Sequence, residues 1–186
     1  MKHFFNLLIM LLVLGTGAGS KAETVNTSIK RDIFNVLVDS KCGPWSPNAN
    51  KSMLYGVKKR DRQASPTIFK VKPGKELIIQ NVSGDVHADW PGHSERKTDA
   101  NGYSKTLNTY AGILPSSYID EQINHMALIG AFANRKGVIV GTPFFIGNGP
   151  INLIVPEGAE QLQLGINDNL FKDNHGLFEV NINIDN

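Results

Sequence analysis

Residues 161–184 read QLQLGINDNLFKDNHGLFEVNINI. In the second half, Phe178, Val180, Ile182 and Ile184 alternate with Glu179, Asn181 and Asn183, the two-residue period of a strand with one buried face. The first half carries Leu162, Leu164 and Ile166 in another strand-like run. Between them lies a turn of carboxylates and amides too polar to enter a core. Two strands around an acidic turn predict a hairpin.

Toward the N-terminus, apolar runs recur at 126–132, 138–140, 144–147 and 151–155, separated by Gly, Pro, Asn and Asp at intervals of roughly 8 to 15 residues. Earlier runs at 33–38, 67–71 and 76–82 have the same density of apolar and β-branched residues, and Pro73-Gly74 marks a hairpin or sheet corner. This spacing predicts an all-β antiparallel sandwich or barrel. Segments 39–65 and 83–112 read as long polar loops, the first with one short strand near 52–57. One short helix is predicted over 116–123, from Ser117 with Asp120 three residues on and Ile119 and Ile123 four apart.

The chain opens on Met1-Lys2-His3, an apolar run through Leu14, and small residues leading to Ser20-Lys21-Ala22. That is the pattern of a cleavable signal peptide. About eleven apolar residues at roughly 1.5 Å each cover only about half of a hydrocarbon core of roughly 30 Å. Cleavage is expected after Ala22, with Ser20 as the alternative. The expected organisation is a signal peptide over 1–22, a polar leader over 23–32 and one β-sandwich domain over 33–186. No later run approaches a spanning length, so stable membrane insertion is not expected, and the destination is the periplasm or the exterior of a bacterial cell. No cysteine follows the apolar run as a lipidation point. Cys42 is the only cysteine, so no intramolecular disulfide can form, and no base stands beside it to make it a nucleophile.

Lys and Arg number 19 against 17 Asp and Glu, and removal of Lys2 and Lys21 leaves 17 against 17. A neutral chain gives no electrostatic ground for a nucleic-acid partner. The basic run at 58–62 reads as a solvated loop.

The chemistry concentrates at 165–178. A hard cation such as Ca²⁺ takes about six to eight oxygens from carboxylates, amides and backbone carbonyls. Asp168, Asp173 and Asn174 offer such oxygens within a short stretch. Two carboxylates balance one divalent ion and repel each other without it. The bland alternative is an Asx-rich turn whose side chains bond their own backbone.

Gly165-Ile166-Asn167-Asp168, a short loop, and then Asp173-Asn174-x-Gly176-x-Phe178-x-Val180-x-Ile182 resembles the closing motif of the LecA-type bacterial lectins, calcium-dependent galactose-binding β-sandwich proteins. The Pro73-Gly74 turn, the Met126 to Gly130 run, Phe145-Ile146-Gly147 and Pro156-Glu157-Gly158 fall in that family's order. The likeness spans residue 33 to the C-terminus, with 44–65 and 98–124 as insertions. It implies a galactose-binding-like jelly-roll β-sandwich. It also implies one Ca²⁺ held by the side chains of Asp168, Asp173 and Asn174, the Leu170 carbonyl and a second carbonyl from Ala88 to Trp90. Two sugar hydroxyls would complete the ion's shell, with Asp168 and Asp173 orienting them and His93-Ser94 echoing a sugar-contacting His-Pro pair. The implied partner is a carbohydrate or glycoconjugate, and the implied activity is binding without catalysis. Homo-oligomerisation is left open. Asp173 stands where the galactose binder that names the family has Asn, so the motif speaks more for the ion than for the sugar.

Two rival readings remain. His87, Asp89 and His93 in a Pro-Gly loop offer a zinc site for a metal-assisted hydrolase, against the plain reading of solvated loop histidines. His125 and His175 are scattered in the chain and join a site only if the fold brings them in. Trp90 is either a stacking platform for a pyranose or a loop anchor. The other rival is a non-catalytic envelope or adhesion protein with a purely structural calcium.

Overall fold

The computed structural model describes residues 31–55, 65–89, 96–103, 118–119 and 123–185. Among the described residues there are eight strands: β1 (Arg31–Asp39), β2 (Thr67–Lys70), β3 (Glu76–Ala88), β4 (Leu128–Ala133), β5 (Phe144–Phe145), β6 (Ile151–Ile154), β7 (Gln161–Ile166) and β8 (Asn174–Asp185). They form two four-stranded sheets, ordered β1-β8-β3-β6 and β2-β7-β4-β5, with every pair antiparallel. The fold is the all-β sandwich that the run spacing predicts.

The core follows from the alternation. Phe178, Val180 and Ile182 of β8 are fully buried, as are Leu162, Leu164 and Ile166 of β7. Each set projects from the middle of its sheet, where burying an aliphatic or aromatic side chain contributes about 1.5–3 kcal/mol. The other face of β7 is also covered. Ser46 N donates to Gln163 Oε1 at 2.8 Å, and Ile166 N donates to Cys42 O at 3.0 Å. Only glycine fits at 165, because a Cβ there would collide with the Gly43 carbonyl. Residues 40–55 therefore form a lid on the second sheet, pinned by buried Trp45, whose Nε1 donates to Met53 O, and by Tyr55, whose hydroxyl donates to Trp45 O.

The structure corrects four sequence-based expectations. Residues 83–88, read as loop, continue β3 because β8 supplies backbone partners along their whole length, from Ser83 opposite Glu179 to Ala88 opposite Asn174. Residues 52–55 carry no strand, their polar groups being spent on the lid. The run at 138–140 makes one isolated bridge, Ile139 to Ala133. β7 and β8 are not a hairpin: they belong to different sheets, and 167–173 crosses between them. The predicted helix over 116–123 falls mostly outside the described residues, of which Tyr118 and Ile119 lie in a turn and bend. Among the described residues the helical element is one 3-10 turn, Phe171–Asp173.

One local irregularity positions the site. In β3, Ile79 faces Ile182 but Asn81 faces Asn181, so Gln80 is an extra residue and the strand is bulged. Before the bulge Leu77 and Ile79 point inward; after it Val82, Val86 and Ala88 do. His87 is thereby turned outward.

Candidate functional site

The crossover from β7 to β8 is held at both ends. Asn167 N donates to Ala127 O and Met126 N donates to Asn167 O, at 2.8 and 2.9 Å. The Asn167 side chain donates to the carbonyls of Ile123 and Asn124, clamping the segment before β4 against the end of β7. Phe171 plugs the middle of the crossover, buried edge-on against Tyr55 with ring centroids 5.4 Å apart. At the far end Asn174 is fully buried, its Nδ2 donating to Ser40 O at 2.9 Å.

Asp168 is the centre of this arrangement. Its side chain is 3% exposed. Oδ1 accepts from His125 Nε2 at 2.8 Å and from Asn169 N at 2.6 Å. Since the carboxylate can only accept, the His125 proton sits on Nε2. Oδ2 is buried and has no hydrogen-bond donor among the described residues, and the same is true of Asn174 Oδ1. Leaving a buried acceptor unpaired costs about 1–3 kcal/mol, more for a charged group. Asp173 contributes a carboxylate with one buried oxygen, and its backbone carbonyl accepts from Asp89 N at 2.8 Å. Buried oxygens from a carboxylate and an amide, in a loop with a second carboxylate, are the donor set of a hard divalent cation. These residues fit calcium.

Tyr103 joins the crossover to β3. Its hydroxyl accepts from Ala88 N at 3.2 Å and donates to Arg96 O at 2.8 Å, while its ring lies 5.6 Å from that of His125. Burial pushes its phenol above the ordinary range; the Ala88 hydrogen bond opposes this, and the negative charge of Asp168 and Asp89 raises it further.

Of the residues singled out from sequence, Asp168, Leu170, Asp173 and Asn174 lie along one crossover, with Ala88 paired to Asn174 beside it. Trp90 and His93 lie outside the described residues. Asp89 follows β3 directly, and His87, expected in a loop, stands on the strand itself. Its histidine neighbour is His175, the residue opposite it on β8. Sequence reasoning missed Tyr103 and left His125 without a partner; they sit in or beside the segment taken for an insertion. The only signal was the position of His125 directly before Met126-Ala127-Leu128.

An open cleft of about 710 Å³ lies between the edges of β1 and β2, lined by Phe34, Phe69, Ile184 and Arg135 among others. It shares no residue with the crossover.

No protein-family model matches the chain, and no curated protein matches it. Among solved structures it is similar to one described as "EclA N-terminal domain; PllA-like lectin", at 17% identity and a TM-score of 0.48, over 81% of this chain and 95% of that one.

Proposed function

We propose that the protein is an exported, calcium-dependent carbohydrate-binding protein whose ion sits in the crossover between β7 and β8. The observation that carries this reading is the pair of buried acceptors, Asp168 Oδ2 and Asn174 Oδ1, with no donor among the described residues. The closing motif Gly165 to Ile182, with its likeness to calcium-dependent lectins, supports the same residues. Asp168, Asp173 and Asn174 would hold the ion through side-chain oxygens, with carbonyls from Leu170 and Ala88 added to the set. When bound, calcium supplies open coordination positions that two neighbouring sugar hydroxyls fill.

The chain's own part is to orient. Asp168 is fixed by His125 and Asn169 so that one carboxylate oxygen is committed to the protein and the other is not. Asn174 is fixed in the same way by Ser40. The reading involves no bond cleavage, and residues 1–22 are removed on export to the periplasm or beyond.

The test is retention of the purified mature protein on glycan-bearing resins in calcium, with release by free sugar and by chelator. Asp168→Ala should lose both calcium and glycan. Glycan binding that survives chelation and this substitution refutes the mechanism.

A further inference from the structure

At the same end of the sandwich, on the outer face of the first sheet, three metal-binding side chains converge. His87 on β3 and His175 on β8 occupy directly opposed positions, and their imidazoles stack with centroids 5.1 Å apart and planes 19° from parallel. Asp89, two residues beyond His87 and so on the same face, reaches both. His175 Nε2 lies 2.9 Å from Asp89 Oδ2, and His87 Nε2 lies 3.6 Å from Asp89 Oδ1. One ligand atom from each residue lies within 4.8 Å of the other two.

We propose that His87, Asp89 and His175 form a second metal site, for a zinc-class divalent ion. Two imidazoles and one carboxylate select a borderline transition metal, whereas calcium prefers oxygen alone. Bonds of about 2.0–2.2 Å around a tetrahedral zinc place its ligand atoms about 3.3 Å apart. The present separations are close enough that side-chain rotations on the order of 1 Å close the set. His175 and Asp89 are 47% and 46% exposed and free to make such adjustments, while His87, at 21%, is the more fixed anchor.

Three protein ligands leave a coordination position open for water or an outside donor. The site is distinct from the crossover. Ala88 and Asn174 are buried on the inner side of the same strand pair, the face opposite His87 and His175. The two sites share a rim, since Asp89 N donates to Asp173 O. An ion held across His87 and His175 would tie the end of β3 to the start of β8 at the base of the crossover.

The experiment is calorimetric titration of Zn²⁺ into chelator-stripped mature protein kept saturated with calcium, with Co²⁺ absorption as a second readout. The expected result is one Zn²⁺ per chain and Co²⁺ visible bands characteristic of nitrogen ligation. Both should be lost in His87→Gln, His175→Gln and the double variant, with melting behaviour unchanged in His175→Gln, whose side chain is exposed. Asp168→Ala should still take up zinc, so a failed calcium reading leaves this inference standing. No zinc uptake by the wild type, uptake that survives the double variant, or uptake lost in Asp168→Ala would each overturn it.

Discussion

His125 is the residue whose removal most directly probes how the crossover works. Its Nε2 is 2.8 Å from Asp168 Oδ1, and the two side chains are 11% and 3% exposed. Replacing it by Ala deletes a hydrogen bond to a charged group and opens space beside Tyr103. Together these should destabilise the fold by about 2–4 kcal/mol. The larger consequence is for the ion. Without His125, Asn169 N is the donor left to Oδ1 among the described residues, and the carboxylate can turn Oδ2 away from the crossover. Loss of such an orienting partner costs about 10–100-fold in metal affinity. His125→Gln keeps an amide donor at similar reach and should recover most of that loss. The assay is calcium titration calorimetry on both variants, with urea unfolding to read stability. A folded His125→Ala protein with wild-type calcium affinity would refute the argument that this contact aims the carboxylate.

Other outcomes follow from the same contacts. Calcium at about 100 times its dissociation constant should stabilise the wild type by about 2.7 kcal/mol, a rise in Tm of roughly 5–10 °C for a domain of this size, and Asp168→Ala should show no rise by differential scanning calorimetry. Gly165→Ala drives a Cβ into the Gly43 carbonyl and should lower the urea midpoint by an amount equivalent to about 1–3 kcal/mol. Tyr55 and Tyr103 are both held above the ordinary tyrosine range, in each case first by burial and then, for Tyr55, by Cys42 and, for Tyr103, by Asp168 and Asp89 against the Ala88 hydrogen bond. The unfolded chain releases these protons near pH 10. Stability should therefore be whole below that pH and fall as pH rises toward the folded-state values. Urea midpoints at about pH 9 and pH 11 should show a smaller fall in Tyr55→Phe.

The strands were legible wherever one face is buried and the other wet. The alternation of Phe178, Val180 and Ile182 with Glu179, Asn181 and Asn183 states its own conformation. The end of β3 was not legible, because Ser83-Gly84-Asp85 has the composition of a turn and becomes strand only through β8, a partner about a hundred positions away. The acidic crossover was visible as a cluster of oxygen donors, but nothing local says which sheet each flanking strand will join, and so a hairpin was the natural expectation. His125 and His175 were unreadable as partners for the same reason. A histidine's neighbours across a sandwich are fixed by topology, which leaves no trace in the spacing around it.

The bulge at Gln80 connects these levels. Side chains alternate along a strand, so one extra residue exchanges the two faces for everything beyond it. With the bulge, Val82, Val86 and Ala88 continue the buried face begun by Leu77 and Ile79, and Asp85, His87 and Asp89 fall on the wet one. Without it, a histidine and two aspartates would face the core, where an unpaired charge is far costlier than any alternative packing. Gly149 lies against this point, where a Cβ would crowd the carbonyls of Ile79 and Gln80 to 3.2 and 3.3 Å. A small residue at 149 and an extra one at 80 thus decide together that Ala88 meets Asn174 beside the oxygen-rich crossover while His87 meets His175 outside it. The oxygen donors of Asp168, Asp173 and Asn174 and the imidazoles of His87 and His175 are kept apart by that one register shift.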